Sequence, residues 1–118
     1  VGKNAVALIC GYIDVVARGE NERAMILTRA WGEVVDFGLA CGGQIRTFLG
    51  LAGIGDLFLS ATSTTSRNFS GGRAIASGAP VTGTVEGIFA LRGIISRGTQ
   101  LGVDMPTLME MARCMELI

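Results

Sequence analysis

Apolar residues recur at helical spacing over almost the whole chain, no apolar–polar alternation runs beyond four residues, and glycine or proline marks each break. Together these predict an all-α domain of six to eight helices. With 118 residues, we read 1–118 as one helical domain able to bury its own core. Residues 4–16 are apolar on every side, as a central buried helix would be. Gly19-Glu20-Asn21 interrupts the pattern, with Asn21 placed to cap the next helix and Glu22 in its first turn, where the dipole favours an anion. In that helix Met25, Ile26, Ala30, Trp31, Val34 and Val35 form an apolar stripe running to about residue 40, and Gly42-Gly43 ends it. Residues 44–51 and 56–60 read as short helices, and 61–66, small and polar, as a loop. A helix over 68–76 stops at Gly78 and Pro80. Thr82-Gly83-Thr84 then leads into a long helix over 85–100, ended by Gly102. Asp104-Met105-Pro106 opens the last helix, with proline in a first turn that does not need its N–H.

Glycine supplies 18 of the 118 residues, about twice the usual ~7%. Gly11, Gly32, Gly87 and Gly93 fall inside helical patterns, where each costs roughly 0.5–1 kcal/mol relative to alanine. We expect close approach of neighbouring helices to be the reason for all four.

Composition narrows the functions open to the chain. Ten basic and ten acidic residues cancel, which argues against nucleic acid or an anionic membrane as partner but leaves room for a small anion held by one or two arginines. The absence of histidine removes the Ser-His-Asp and Cys-His arrangements and the commonest zinc ligand, and no metal site is expected. Cys10, Cys41 and Cys114 share no CxxC spacing and lie in apolar stretches, so we expect small, buried, reduced thiols and a cytoplasmic location. The longest apolar stretch, 5–17, contains Gly11 and Asp14 and falls short of the ~20 residues a bilayer requires, so no membrane span is expected. The apolar run begins at once, and the chain reads as a domain of something longer.

Lys3 is the only lysine; the other nine cations are arginine. Arginine keeps its proton, whereas a lysine amine can give one up and serve as general acid or base. Lys3 is either a solvated terminal lysine or the mouth of the apolar segment that follows it. Polar residues that solvation explains least fall in four patches, each expected at or just before a helix start: Lys3-Asn4, Gly55-Asp56, Ser66-Arg67-Asn68 and Thr84-Val85-Glu86. A hydroxyl, a guanidinium fork and an amide in succession suit a phosphate monoester. Taken singly, each patch is equally a helix cap or a first-turn charge.

Taken in order, the patches resemble the substrate-binding C-terminal domain of NAD(P)-dependent glycerol-3-phosphate dehydrogenase. The matching stretches are Lys3-Asn4-Ala5-Val6-Ala7, Gly19-Glu20-Asn21, Leu51-Ala52-Gly53-Ile54-Gly55-Asp56-Leu57, Ser66-Arg67-Asn68, Val85-Glu86-Gly87 and Leu101-Gly102-Val103-Asp104-Met105-Pro106, which run over nearly the whole chain. The resemblance implies a helical domain of the 6-phosphogluconate dehydrogenase C-terminal-like kind. It implies a partner in the protein's own N-terminal Rossmann domain, a homodimer, and the interconversion of dihydroxyacetone phosphate and sn-glycerol 3-phosphate with NAD or NADP. That reaction belongs to glycerol-3-phosphate metabolism and phospholipid biosynthesis. Lys3 falls on the proton-transfer position. Asp56, Ser66, Arg67 and Asn68 fall on substrate-binding positions, with Asn4 and Ser60 as secondary contacts. Arg67, Thr84 and Glu86 fall on coenzyme contacts, although Thr84 replaces the usual aliphatic residue. The chemistry agrees with the resemblance: hydride addition to a ketone builds charge on oxygen, which a protonated amine stabilises and then protonates. No strand-GxGxxG-helix unit is present, so the coenzyme would be held mainly by the other domain and the isolated chain should not turn over. Two alternatives stay open at this point: a non-catalytic helical interaction or dimerisation domain, and a related hydroxy acid dehydrogenase, against which the SRN triplet argues.

Overall fold

A computed structural model describes residues 2–42, 63–81 and 85–118. Within them lie five helices and no strand: α1 (Gly2–Val16), α2 (Glu20–Ala40), α3 (Ser63–Ser77), α4 (Glu86–Gln100) and α5 (Pro106–Cys114). The short helices expected over 44–51 and 56–60 fall outside the described residues. No helix among the described residues is long and apolar enough to cross a membrane.

As its all-round apolar sequence predicts, α1 is the centre. Ala5, Val6, Ala7, Leu8, Ile9, Gly11 and Ile13 are all buried, and α3, α4 and α2 pack around them, α3 most extensively. Leu8 and Ile9 join Leu91 of α4 and Met105 and Leu108 at the start of α5 in one core, each removed from water almost completely. Burial of each such side chain stabilises the fold by about 1.5–3 kcal/mol.

The α1–α3 contact is a backbone contact, because two glycines face it. A Cβ on Gly72 would lie 2.0 Å from the Leu8 carbonyl oxygen and 2.7 Å from the Tyr12 nitrogen. One on Gly11 would lie 1.9 Å from the Phe69 carbonyl oxygen. Gly87 allows the same closeness between α4 and α1, with the Asn4 carbonyl oxygen 2.5 Å from where its Cβ would be. Gly32 and Gly93 do not repeat this pattern: nothing lies within 4 Å of a Cβ at either, so close packing does not account for them.

Where sequence and structure part over helix boundaries, the cause is local. Helix α2 starts at Glu20, one residue ahead of Asn21, because Gly19 turns the chain with φ 104 and leaves Asn21 inside the first turn. Glu20 and Glu22 supply the negative charge its N-terminus favours. Met25 of the expected stripe points outward, 46% exposed, whereas Ala30, Val34 and Val35 are buried. Helix α3 begins at Ser63, and so includes residues expected to form a loop. Packing on α1 overrides the weak helix preference of its Ser-Thr-Thr-Ser start. Gly102 ends α4 as foreseen: its N–H donates to the Thr99 carbonyl and that of Val103 to the Gly98 carbonyl, a left-handed glycine closing the last turn.

All three cysteines are free thiols. The expectation that all are buried fails for Cys41 and Cys114, which follow and end helices at the surface. Cys10, inside α1, is partly buried, and desolvation pushes its thiol up to about 11.

Glu33 of α2 has a role that no local pattern announced. Its carboxylate is buried and accepts the N–H of Thr107 at 2.9 Å and that of Leu108 at 2.8 Å. Met105, at the cap position of α5, provides no side-chain cap, so Glu33 satisfies two first-turn donors from another helix.

Candidate functional site

Three helix segments distant in sequence meet at one end of the bundle: the first turn of α1, the second turn of α3 and the first turn of α4. Asn68 is their centre. Only 1% exposed, its side-chain oxygen accepts the Gly87 N–H at 2.7 Å and thereby caps α4 from α3. The missing Gly87 side chain is what allows this, because a Cβ there would sit 3.0 Å from that oxygen and 2.9 Å from the Leu8 Cβ. Val85, the cap residue of α4, has extended backbone and gives no side-chain bond of its own.

Glu86, the first residue of α4, links the other two segments. One carboxylate oxygen accepts Nη2 of Arg67 at 3.4 Å; the other accepts Nδ2 of Asn4 at 3.5 Å. The Arg67 and Glu86 side chains are 54% and 48% exposed, so the ion pair is worth at most about 1 kcal/mol. Lys3 precedes Asn4 in the first turn of α1 and is partly buried.

Two buried polar atoms here have no hydrogen-bond partner among the described residues: the Asn4 side-chain oxygen and the Asn68 side-chain nitrogen.

Beside the cluster, a cleft of about 230 Å³ is lined by Ser66, Arg67, Ser70, Gly71 and Ala74 of α3 and by Pro80, Val81 and Val85. Ser66 and Ser70 stand one helical turn apart and flank Arg67. Sequence reasoning missed Ser70, although its i, i+4 spacing from Ser66 was a usable signal.

The structure thus draws together Asn4, Arg67, Asn68 and Glu86, with Lys3 next to Asn4 on α1, and puts Ser66 on the wall of the cleft beside them. Asp56, Ser60 and Thr84 lie outside the described residues. One expectation is corrected: Ser66, Arg67 and Asn68 are not at a helix start, since α3 begins three residues before Ser66 at Ser63. Free N-terminal amides of α3 are therefore not what these residues offer. Arg67 offers a guanidinium, Ser66 a hydroxyl, and Asn68 an amide already half committed to holding α4. Neither Ser66 nor Asn68 caps its own helix.

Residues 1–116 match the family described as NAD-dependent glycerol-3-phosphate dehydrogenase C-terminus. Among curated proteins, the glycerol-3-phosphate dehydrogenase (NAD(P)+) of Thermus thermophilus is 40% identical over 109 residues, covering 88% of this chain and 34% of that protein. The protein of the same name from Paracidovorax citrulli is 39% identical over 121 residues, covering 97% of this chain and 35% of its own length. That from Erythrobacter litoralis is 40% identical over 111 residues, covering 88% and 34%. The chain therefore spans about a third of the length of the curated relatives it matches. With the family matched from residue 1 to residue 116, and with its Lys-Asn, Ser-Arg-Asn and Glu-Gly segments joined at one end of the bundle, this chain belongs to the family of NAD-dependent glycerol-3-phosphate dehydrogenase C-terminal domains.

Proposed function

We propose that this chain is the substrate-binding and proton-transfer half of an oxidoreductase that interconverts dihydroxyacetone phosphate and sn-glycerol 3-phosphate with NAD or NADP. It works in the cytoplasm beside a Rossmann domain of the same polypeptide, within a homodimer. What carries the reading is the junction itself: a half-exposed arginine, a buried amide whose donor has no partner among the described residues and an adjacent Lys-Asn pair, in a chain of this family.

Arg67 and Ser66 hold the phosphate, whose oxygens match a guanidinium fork and a hydroxyl. Asn68, fixed by its bond to Gly87, places Arg67 on a rigid turn. Asn4 and, beyond the described residues, Asp56 and Ser60 contact the substrate hydroxyls. Lys3 stands at the carbonyl oxygen as an ammonium in the reducing direction; it stabilises the developing alkoxide and then protonates it. In the oxidising direction the neutral amine takes that proton back.

The coenzyme supplies or accepts the hydride. A cleft of about 230 Å³ is smaller than the ~300–1,000 Å³ that even drug-sized ligands fill, so this chain would contribute an edge to the dinucleotide site, through Arg67, Glu86 and Thr84, rather than enclose it.

Assays of the full-length protein test the reading. Lys3→Met should lower kcat for dihydroxyacetone phosphate about 100-fold or more with little change in KM, as loss of a general acid does. Arg67→Ala should instead raise KM for the phosphorylated substrate. A Lys3→Met protein of normal kcat would end the proposal.

A further inference from the structure

Glu86 does something that neither capping its own helix nor touching a coenzyme explains. At the first position of α4 a carboxylate favours the helix dipole wherever it points. The start of α4 is already secured by the 2.7 Å bond from Gly87 N–H to Asn68. Yet Glu86 reaches across two other helices, with Oε1 on Nη2 of Arg67 and Oε2 on Nδ2 of Asn4, over sequence separations of 19 and 82 residues. With both partners of the ion pair about half exposed, the arrangement adds little to stability. Its effect is geometric: it ties the arginine of α3 to the turn of α1 that carries Lys3.

We propose that Glu86 is a positioning residue for the phosphorylated substrate, acting through Arg67. The inference rests on Arg67 being the phosphate-holding residue, as proposed above. Arginine carries five donors in a planar fork, so a carboxylate can steady one side of it while another side faces a phosphate. A side chain held in place before the ligand arrives has less freedom to lose on binding. Freezing one long side chain costs a factor of about 3–10 in affinity, and Glu86 removes that cost in advance. The bond to Asn4 sets the same guanidinium relative to Lys3, and so fixes how far the phosphate stands from the carbonyl to be protonated.

The test is a double-mutant cycle in the full-length enzyme. It compares kcat/KM for dihydroxyacetone phosphate with that for unphosphorylated dihydroxyacetone. Their ratio isolates the phosphate's contribution, because general damage to fold or coenzyme binding lowers both together. Glu86→Ala should lower the ratio about 3- to 10-fold. Arg67→Ala should lower it further, and adding Glu86→Ala to Arg67→Ala should change it no more. If Glu86→Ala lowers the ratio equally in both backgrounds, Glu86 acts independently of Arg67; the inference falls and the reading of Arg67 survives. A ratio unchanged or raised by Glu86→Ala, including one accompanied only by a higher KM for coenzyme, also overturns the inference. If Arg67→Ala itself leaves the ratio intact, Arg67 does not hold the phosphate and both readings fall.

Discussion

Two carboxylates reach between helices in this domain, and they do so in opposite ways. At the α2–α5 joint, Glu33 is buried and both oxygens take backbone N–H groups at 2.8 and 2.9 Å. At the α1–α3–α4 junction, Glu86 is half exposed and its oxygens take side-chain donors at 3.4 and 3.5 Å. Glu33 binds rigid partners at short range out of water, so its energy goes into the fold. Glu86 binds movable partners at long range in contact with water, so it orders side chains without locking them. Two buried amide atoms at the second junction, on Asn4 and Asn68, have no partner among the described residues, whereas both carboxylate oxygens of Glu33 are used. A joint that serves stability and a junction proposed to hold a ligand differ in how completely the described residues consume their polar groups.

The comparison breaks most severely if the scaffold under the α1–α3–α4 junction is removed. Gly72→Ala would drive a methyl to 2.0 Å from the Leu8 carbonyl oxygen, a backbone atom that cannot swing aside, and should cost about 3 kcal/mol or more in urea unfolding. Gly32→Ala, on an open helix face, should do the reverse and stabilise by about 0.5–1 kcal/mol. Next in size, Glu33→Ala orphans two first-turn N–H groups and should cost about 2–3 kcal/mol while leaving substrate KM unchanged. Arg67→Ala should show the complementary pattern, less than about 1 kcal/mol of stability against a large rise in KM. Equal stability losses from these last two would erase the distinction.

The smallest effect concerns Cys10. Its thiol is raised from 9.0 to about 11 in the folded chain, so the unfolded chain ionises first. Cys10 is therefore neutral in its effect below pH 9 and subtracts stability as pH rises from about 9 to about 11. Tyr12, also raised by burial, adds to the same trend at the upper end. Cys10→Ala should flatten this decline in unfolding curves measured across that range.

Much of the fold was legible because its signals are local. The apolar run of α1, the glycine after α4 and the proline opening α5 each say in a few residues what the chain does there. The stretches that carry the family resemblance were legible as an ordered set, and Asn4, Arg67, Asn68 and Glu86 among them meet at one junction. What stayed hidden depends on distance along the chain. Nothing near Glu33 points to Thr107 and Leu108, which lie 74 and 75 residues away. Nothing in Ser-Arg-Asn says that Asn68 caps a helix 19 residues further on. The start of α3 was misplaced for the same reason: its first turn is weakly helical by composition and is held by α1. Residue type alone also misled at Cys41, Cys114 and Met25, apolar in character but set at helix ends or on an outer face.

The Gly87 N–H bond to Asn68 has one more consequence. This amide is held by a side chain from α3, so its hydrogen exchanges with solvent only when the link between α3 and α4 opens. A single backbone proton thus measures how often the junction opens, and any ligand that bridges Arg67 and Asn4 must slow that exchange in proportion to its occupancy.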